Sequence, residues 1–150
     1  MAATRVQITV DCHDPTLLAR FWATALHYGF PPPPGGHATW REAYLAMGVP
    51  EEELGDGDAV DRAVDPDGVG PAMWFQQVPE DKVVKNRLHL DLLVGGGRSL
   101  PLAERRARVD AEVARLLAAG ASVAYPLDDP GYDHYAVVLR DPEGNEFCVV

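Results

Sequence analysis

The sequence lacks the features of several protein classes. None of its 150 residues lies in an apolar run close to the roughly 20 residues that a membrane-spanning helix needs. The first residues do not show the basic-then-apolar pattern of a secretion signal. There are only two cysteines, Cys12 and Cys148, both in predicted strands, so we expect free thiols rather than a disulfide. We therefore expect a cytoplasmic protein that does not bind membranes.

Basic residues are also scarce. The 13 Lys and Arg against 23 Asp and Glu give a formal net charge of −10, which repels polyanions and argues against nucleic-acid binding. No nucleophile-elbow, phosphate-loop or dinucleotide glycine pattern is present, and the only serines, Ser99 and Ser122, have no recognisable catalytic partner. Nucleotide-binding and serine-hydrolase functions are therefore not indicated.

The first half of the chain predicts a strand, a helix and further strands. Residues 5–11 alternate between polar and apolar, which is typical of a half-buried strand. Asp14 and Pro15 predict the start of a helix, whose apolar residues recur at helical spacing up to a stop at Gly29. Two more strands are predicted in this half, over residues 37–47 and 71–78.

The segment from Gly48 to Gly70 is acidic and rich in glycine. Its acidic residues are Glu51, Glu52, Glu53, Asp56, Asp58, Asp61, Asp65 and Asp67. We interpret this segment as a solvated loop. Calcium binding is the alternative, but the spacing of the carboxylates does not match an EF-hand loop.

The second half repeats this plan. It predicts a strand over residues 87–94, a helix over 101–119, a strand over 121–125 and a loop from Pro126. At the end, Asp141-Pro-Glu-Gly-Asn145 separates two strand-like runs, which predicts an antiparallel hairpin.

The two halves can be aligned. Arg5-Val-Gln-Ile aligns with Arg87-Leu-His-Leu, and Trp74-Phe-Gln-Gln-Val78 aligns with Glu146-Phe-Cys-Val-Val150. Two open sheets would each leave a face uncovered, so pairing them buries both. We predict an α+β fold in a single domain over residues 1–150. Its two βαβββ modules, about 1–81 and 86–150, would form a curled mixed sheet, or cup, with the helices outside.

The terminal hairpin resembles the closing motif of the vicinal-oxygen-chelate superfamily, the glyoxalase and bleomycin-resistance group. Asp14-Pro15, Phe21-Trp22 and Asn86-Arg-Leu-His-Leu-Asp91 extend the resemblance over nearly the whole chain, and it is closest to the glyoxalase-like domain branch. The resemblance implies the cup architecture and assembly as closed single chains or as dimers, and we expect a homodimer. In metal-dependent relatives, four positions hold a divalent cation with open coordination sites. Here those positions are Gln7, Gln76, His89 and Cys148.

These four residues are a weak metal set. His89 and a Cys148 thiolate suit zinc, but two neutral glutamine oxygens add no charge and favour harder ions. We therefore expect no cofactor. A divalent metal held by Gln7, Gln76, His89 and Cys148 is the alternative.

Acid-base chemistry without a metal is the other option. Asp91 shares a strand face with His89 and could hold its imidazole as a general base. Glu146, on the face of Cys148, is the second candidate acid or base. Each residue also has a structural interpretation: Asp91 in an ion pair, Glu146 exposed beside a turn, and Cys148 as a small buried hydrophobe. The remaining candidate ligand-binding residues, which suit a flat or apolar ligand, are Gln7, Trp40, Trp74, Gln76, Tyr135 and Cys148.

Three functions remain open. The first is binding of a small organic ligand, with or without metal-independent lyase or isomerase chemistry at His89, Asp91 and Glu146. The second is a metal-dependent lyase or dioxygenase. The third is a drug-sequestering resistance protein without turnover, whose acidic surface would suit a cationic drug.

Overall fold

The chain forms two units, each of which combines α-helices with a mixed β-sheet. The computed structural model describes residues 4–54 and 59–150, and it divides the chain between Glu80 and Asp81. Asp56 and Asp58 of the predicted acidic loop lie outside the described residues. The predicted α+β fold with two βαβββ-like modules is confirmed; closure of the sheets into one cup stays a prediction. In the described ranges, every helix is too short or too polar to cross a bilayer.

The first unit places one helix across a three-stranded sheet. Its elements are β1 (Gln7–Cys12), α1 (Pro15–Leu26), α2 (Trp40–Ala46), β2 (Arg62–Ala63) and β3 (Ala72–Gln77), with short 3-10 turns at Pro34–Gly36 and Glu51–Glu53. The strand order is β1-β3-β2, with β1 parallel and β2 antiparallel to β3. Helix α1 packs against β2 and β3 and buries Leu18, Phe21 and Trp22. The predicted alternation of β1 is present, since Gln7, Thr9 and Asp11 are exposed while Cys12 is buried.

Helix α1 begins where the sequence predicts but ends earlier. The Asp14 carboxylate accepts a hydrogen bond from the Leu17 N–H at 2.9 Å, so the predicted N-cap is confirmed. The predicted stop at Gly29 is wrong. His27 ends the helix instead, in a left-handed conformation (φ +56°) that histidine tolerates better than most residues do. Gly29 pairs in both directions with Val64, at 2.9 and 2.8 Å.

The predicted strand over residues 37–47 is also wrong, because this segment contains α2. The Thr39 hydroxyl accepts a hydrogen bond from the Glu42 N–H at 3.1 Å, and the Glu42 carboxylate accepts one from the Ala38 N–H at 3.0 Å. The Thr39 hydroxyl is the N-cap of a Thr-x-x-Glu pattern that is visible in the sequence, and the Glu42 carboxylate bonds the N–H one residue before that cap. These bonds favour a helix start here over the strand preference of the aromatic residues Trp40 and Tyr44.

The second unit has a four-stranded mixed sheet. Its elements are β4 (Asp91–Leu92), α3 (Leu102–Ala118), β5 (Ser122–Leu127), β6 (Ala136–Arg140) and β7 (Glu146–Val149). The strand order is β4-β7-β6-β5, with β4 parallel to β7 and the other pairs antiparallel. Helix α3 packs against β6 and β7, and its Val109 and Leu116 are fully buried. The predicted helix and terminal hairpin are therefore confirmed.

Two strand boundaries in this unit differ from the prediction. The strand predicted over residues 87–94 is reduced to Asp91–Leu92, the two residues paired with β7, and the segment before it is held by the bonds of Leu90 to Cys148 and of Asn86 to Glu146. Strand β5 continues past the predicted loop start at Pro126 to Leu127. Since β5 is an edge strand, the missing N–H of the proline removes no essential hydrogen bond.

The turn between β6 and β7 is organised around a buried carboxylate. Asp141 is 3% exposed, and its Oδ1 accepts hydrogen bonds from the backbone N–H groups of Glu143 and Asn145, each at 3.0 Å. The Asn145 side-chain amide donates to the same carboxylate at 3.0 and 3.2 Å, and Gly144 takes the positive φ (+87°) that the turn requires. The turn sets Arg140 opposite Glu146 and thereby fixes the register of β7.

Replacing Asp141 by alanine should leave these donors without a partner inside the protein. We expect Asp141→Ala to lower the free energy of unfolding by about 2–3 kcal/mol, measured by urea denaturation. Asp129→Ala removes an exposed carboxylate from a loop of the same unit and serves as the control, with an expected change within about 0.5 kcal/mol. Equal effects of the two changes would show that the Asp141 hydrogen bonds do not stabilise the turn.

Candidate functional site

Three residues of the second unit that carry candidate metal-binding or acid-base groups lie together. One ligand atom each of His89, Asp91 and Cys148 lies within 4.8 Å of the others. Asp91 on β4 is the direct partner of Cys148 on β7, and His89 lies two residues before Asp91 on the same segment. The structure therefore brings together one predicted metal ligand pair, His89 and Cys148, with the predicted orienting residue, Asp91. We call these three residues the His89 cluster.

Asp91 orients the imidazole. The Nδ1 atom of His89 lies 3.1 Å from Asp91 Oδ1 and 3.9 Å from Cys148 Sγ. Because an ionised carboxylate can only accept a hydrogen bond, Nδ1 is the donor and Nε2 keeps its lone pair. The side chains of His89 and Asp91 are 39% and 49% exposed, so a ligand can reach the free Nε2 from solvent.

The Cys148 thiol is held in its protonated form. Burial, the negative charge of Asp91 and a hydrogen bond to Asp91 raise its pKa to about 11, and the weaker effect of Lys85 does not reverse this. A thiol that is protonated at neutral pH is a poor nucleophile. In the absence of an ion, Cys148 therefore acts as a hydrogen-bond donor to Asp91.

The pKa of Glu146 is shifted in the opposite direction to that of Cys148. Burial alone would raise its pKa, but the Asn86 N–H at 3.0 Å and the Lys82 ammonium at 3.0 Å outweigh burial and lower the pKa to about 2. The sequence did not indicate either partner, because both lie about 60 residues away along the chain. With this pKa, Glu146 stays ionised near neutral pH and holds the segment before β4 in place.

In the first unit, the register of the strands separates Gln7 from Gln76. Gln7 pairs with Ala72, whereas the partner of Gln76 is Asp11. At about 3.3 Å per residue, Gln7 lies roughly 13 Å along the sheet from that partner. The positions that correspond to His89, Asp91 and Cys148 are Thr9, Asp11 and Gln76.

The sequence contains a signal for this register. Each leading segment contains an apolar residue followed by aspartate, at Val10-Asp11 and at Leu90-Asp91. Aligning the two aspartates, rather than Arg5 with Arg87, gives the register that the strand pairs show.

The predicted aromatic residues occupy three separate environments. Trp40 lies on α2, where its indole N–H donates to the Pro31 carbonyl at 3.2 Å. The indole N–H of Trp74 donates to Asp61 at 3.0 Å. The Tyr135 hydroxyl donates to Asp110 at 2.7 Å, and this bond, together with burial, raises the pKa of Tyr135 to about 12. All three polar groups thus have partners, and the rings have neighbours as well: Tyr44 beside Trp40, the Arg62 guanidinium over Trp74 and the Arg106 guanidinium over Tyr135.

The His89 cluster has the donor types of a metal site. Its imidazole nitrogen, carboxylate oxygen and thiol sulfur are zinc ligands, and three protein ligands are typical of a catalytic site with an open position. Metal binding would replace the hydrogen bond between His89 and Asp91 and would require Cys148 to lose its proton. The set differs from the predicted one, because Asp91 joins His89 and Cys148.

A comparison with models of protein families decides to which family the chain belongs. The model of the family described as "Glyoxalase-like domain" matches residues 7–150. The chain belongs to this family. The glyoxalase-like domain lies within the glyoxalase and bleomycin-resistance superfamily, so the resemblance seen in the sequence motifs is confirmed. A search of curated proteins finds no match.

Solved structures share the fold of this glyoxalase-like chain at low sequence identity. A glyoxalase/bleomycin resistance protein/dioxygenase family enzyme from Burkholderia phytofirmans PsJN is 17% identical, with 95% and 94% of the two chains covered and a TM-score of 0.56. The fosfomycin resistance protein FosX from Listeria monocytogenes is 9% identical, with 99% and 93% covered and a TM-score of 0.58. A mutant of that protein in complex with Mn(II) and 1S,2S-dihydroxypropylphosphonic acid is 10% identical, with 99% and 90% covered and a TM-score of 0.56. At these identities the similarity shows the fold.

The depressed pKa of Glu146 should make folding sensitive to acid. A carboxylate with a folded pKa of about 2 and an ordinary value of 4.5 stabilises the fold above pH 4.5, and this contribution is lost as the pH falls from 4.5 towards 2. We expect Glu146→Gln to reduce the loss of unfolding free energy between about pH 6 and pH 3.5, measured by urea denaturation. Glu52→Gln, at an exposed position of the first unit, should leave the wild-type pH dependence unchanged. An identical pH dependence in Glu146→Gln would exclude this stabilising role.

Proposed function

We propose that the chain binds a small organic carbonyl compound at the His89 cluster and catalyses a metal-independent lyase or isomerase reaction with His89 as the general base. The observation that carries this proposal is the hydrogen bond between His89 Nδ1 and Asp91, at 3.1 Å, because in the neutral imidazole this bond leaves the lone pair on Nε2, on a side chain that is 39% exposed. A histidine whose second nitrogen is held by a carboxylate is the usual arrangement of an oriented general base.

The expected chemistry is proton transfer at a carbon next to a carbonyl group. His89 Nε2 takes the proton, and the neighbouring Asp91 carboxylate stabilises the imidazolium that forms. Returning the proton to the former carbonyl carbon, while the hydroxyl proton moves to the carbonyl oxygen through solvent, gives an isomerisation of an α-hydroxy carbonyl compound. Expulsion of a leaving group from the other neighbour of the deprotonated carbon gives a lyase reaction, in which the leaving group takes the bonding electrons and a carbon–carbon double bond forms. Cys148 stays protonated and forms no covalent intermediate, because its pKa is about 11.

The other candidate acid or base is less suited to this role. Glu146 is paired with Lys82 and Asn86, and its pKa of about 2 makes it a weak base at neutral pH. In this proposal Glu146 supports the segment that carries His89, and the proton transfer belongs to His89 alone. The relatives named above that bind small ligands agree with this substrate class at the level of size, while their low identity leaves the substrate itself to experiment.

Proton exchange tests the proposal even while the product is unidentified. A panel of α-hydroxy ketones and α-hydroxy aldehydes is incubated with the protein in D2O, and loss of the α-proton signals is followed by 1H NMR. We expect His89→Ala to lower the exchange rate about 100-fold or more, and Asp91→Asn to lower it by less, because the ring remains but loses its orienting partner.

His27→Asn is the matched control, since it replaces a histidine outside the cluster at a left-handed position that asparagine tolerates. It should exchange protons at the wild-type rate. Binding of panel compounds without any exchange would contradict the catalytic role and favour a sequestering protein.

A metal-dependent lyase or dioxygenase is the second candidate, and the mutual distances within the His89 cluster favour it. Here His89, Asp91 and Cys148 would hold a divalent ion, which polarises a substrate oxygen when bound. Elemental analysis of protein purified without chelators should then find about one equivalent of metal in the wild type and none in Cys148→Ser.

Cys12→Ser is the control, because Cys12 is also a buried free cysteine and donates to the Gln76 carbonyl in the first unit. It should retain the metal. If instead the wild type carries no metal and Cys148→Ser keeps the exchange activity, the metal-independent reaction is supported.

A further inference from the structure

The second unit has a cavity, which we call the first cavity, that contains none of the residues of the His89 cluster. It has a volume of about 300 Å³ and lies at the carboxyl ends of the parallel strands β4 and β7, next to the glycine loop Gly95–Gly97. Its other wall comes from Arg105 on α3 and from His134 and Tyr135, which precede β6. A volume of this size is at the lower end of the range for small-molecule pockets, about 300–1,000 Å³.

Arg105, one of the cationic side chains that line this cavity, has a hydrogen-bond partner for each of its three guanidinium nitrogens. Arg105 is 8% exposed, and its Nε donates to the Leu100 carbonyl at 3.1 Å. Its two terminal nitrogens donate to the main-chain oxygen and the carboxylate of Asp133. Since Asp133 immediately precedes His134, this ion pair between the buried Arg105 and the more exposed Asp133 fixes the loop that carries His134. Arg105 therefore shapes the cavity and has little capacity left for a ligand.

Two other side chains that can donate hydrogen bonds, Arg98 and His134, remain available to a ligand. Arg98 and His134 line this cavity and also an adjoining one of about 360 Å³. Within the described part of the chain, neither side chain has a hydrogen-bond or ion-pair partner. They stand at the junction of the two cavities, where a guanidinium and an imidazole N–H can both donate to one anionic group.

The glycine loop adds backbone donors. Gly96 and Gly97 have consecutive positive φ angles of +88° and +86°, and across the described ranges their N–H groups have no backbone partner. The positive φ of Gly96 favours glycine there, and a Cβ would also displace the ends of the Arg108 and Leu100 side chains. Free N–H groups in such a loop favour negatively charged ligands.

The remaining surface is apolar or acidic and sets the orientation of a ligand. Leu93, Tyr135 and Val150 line the first cavity, with the Val150 main-chain oxygen held by the N–H groups of Val94 and Gly95. Leu127, Tyr132 and Asp129 line the adjoining one. Asp129 would repel an anionic group in the adjoining cavity. The anionic end of a ligand therefore belongs in the first cavity, with its apolar body directed along the leucine and tyrosine side chains.

We propose that these joined cavities bind a small organic carboxylate with an aromatic or aliphatic body, whose carboxylate accepts hydrogen bonds from Arg98, His134 and the glycine loop. This site is separate from the proposed function, because it shares no residue with the His89 cluster. It gives a protein of net charge −10 a local, hydrogen-bonded means of recognising an anion.

Three compounds of nearly the same shape test the charge requirement: benzoate (anionic), benzamide (neutral) and benzamidine (cationic). Each is titrated into 15N-labelled full-length protein, and backbone amide shifts are followed by NMR. We expect benzoate to bind with a dissociation constant on the order of 1 mM and to shift the amides of Gly96, Gly97 and Arg98. Benzamide should bind about tenfold more weakly, and benzamidine should cause no shifts at these residues.

Two arginine variants test whether Arg98 contributes to benzoate binding. Arg98→Gln should weaken benzoate binding about tenfold, while Arg20→Gln, which removes the same charge from an exposed position on α1, should leave it unchanged. The NMR spectrum of each free variant shows whether it is folded. Equal binding of the three compounds, equal benzoate affinity of Arg98→Gln and wild type, or benzoate shifts at His89 and Asp91 instead of the glycine loop would each overturn the proposal.

Discussion

The buried carboxylate of Asp141 is the constraint on which the second unit depends. Its hydrogen bonds to the backbone of Glu143 and Asn145 close the turn, and the turn aligns β7 with β6. The same register sets Cys148 opposite Asp91 on β4. A slip of one residue would turn Cys148 to the other face of the sheet and disperse the His89 cluster. A structural interaction at the end of a hairpin thus determines whether the candidate site exists.

Strand β7 carries two titratable groups whose environments shift their pKa values in opposite directions. The Asn86 N–H and the Lys82 ammonium keep Glu146 ionised, whereas burial and the Asp91 charge keep Cys148 protonated two residues further on. Both shifts remove a competitor for the role of general base near neutral pH. The Nε2 lone pair of the neutral His89 imidazole is then the group in the cluster with the chemistry to accept a proton.

The two candidate sites of the second unit use different means to recognise a ligand. The His89 cluster offers one lone pair beside a buried thiol, which suits a neutral carbonyl compound. The cavities at Arg98 and His134 offer side-chain and backbone donors beside apolar side chains, and Asp129 lines only the adjoining one, so the first cavity suits a carboxylate. Since the whole chain is strongly acidic, long-range attraction would not bring an anion to this cavity, and recognition depends on short hydrogen bonds.

Local patterns in the sequence were sufficient for the family, the α+β fold, helices α1 and α3 and the terminal hairpin, because caps, periodicity and turn residues act over a few positions. They also placed His89 and Asp91 on one face. The Thr-x-x-Glu pattern at Thr39 and Glu42 was present in the sequence but was outweighed there by residues with strand propensity. Tertiary structure alone decided the strand register that pairs Asp91 with Cys148 and Gln76 with Asp11, and the contact of Glu146 with Lys82 and Asn86. These contacts join residues about 60 positions apart, and such distances follow from packing and register rather than from any local pattern.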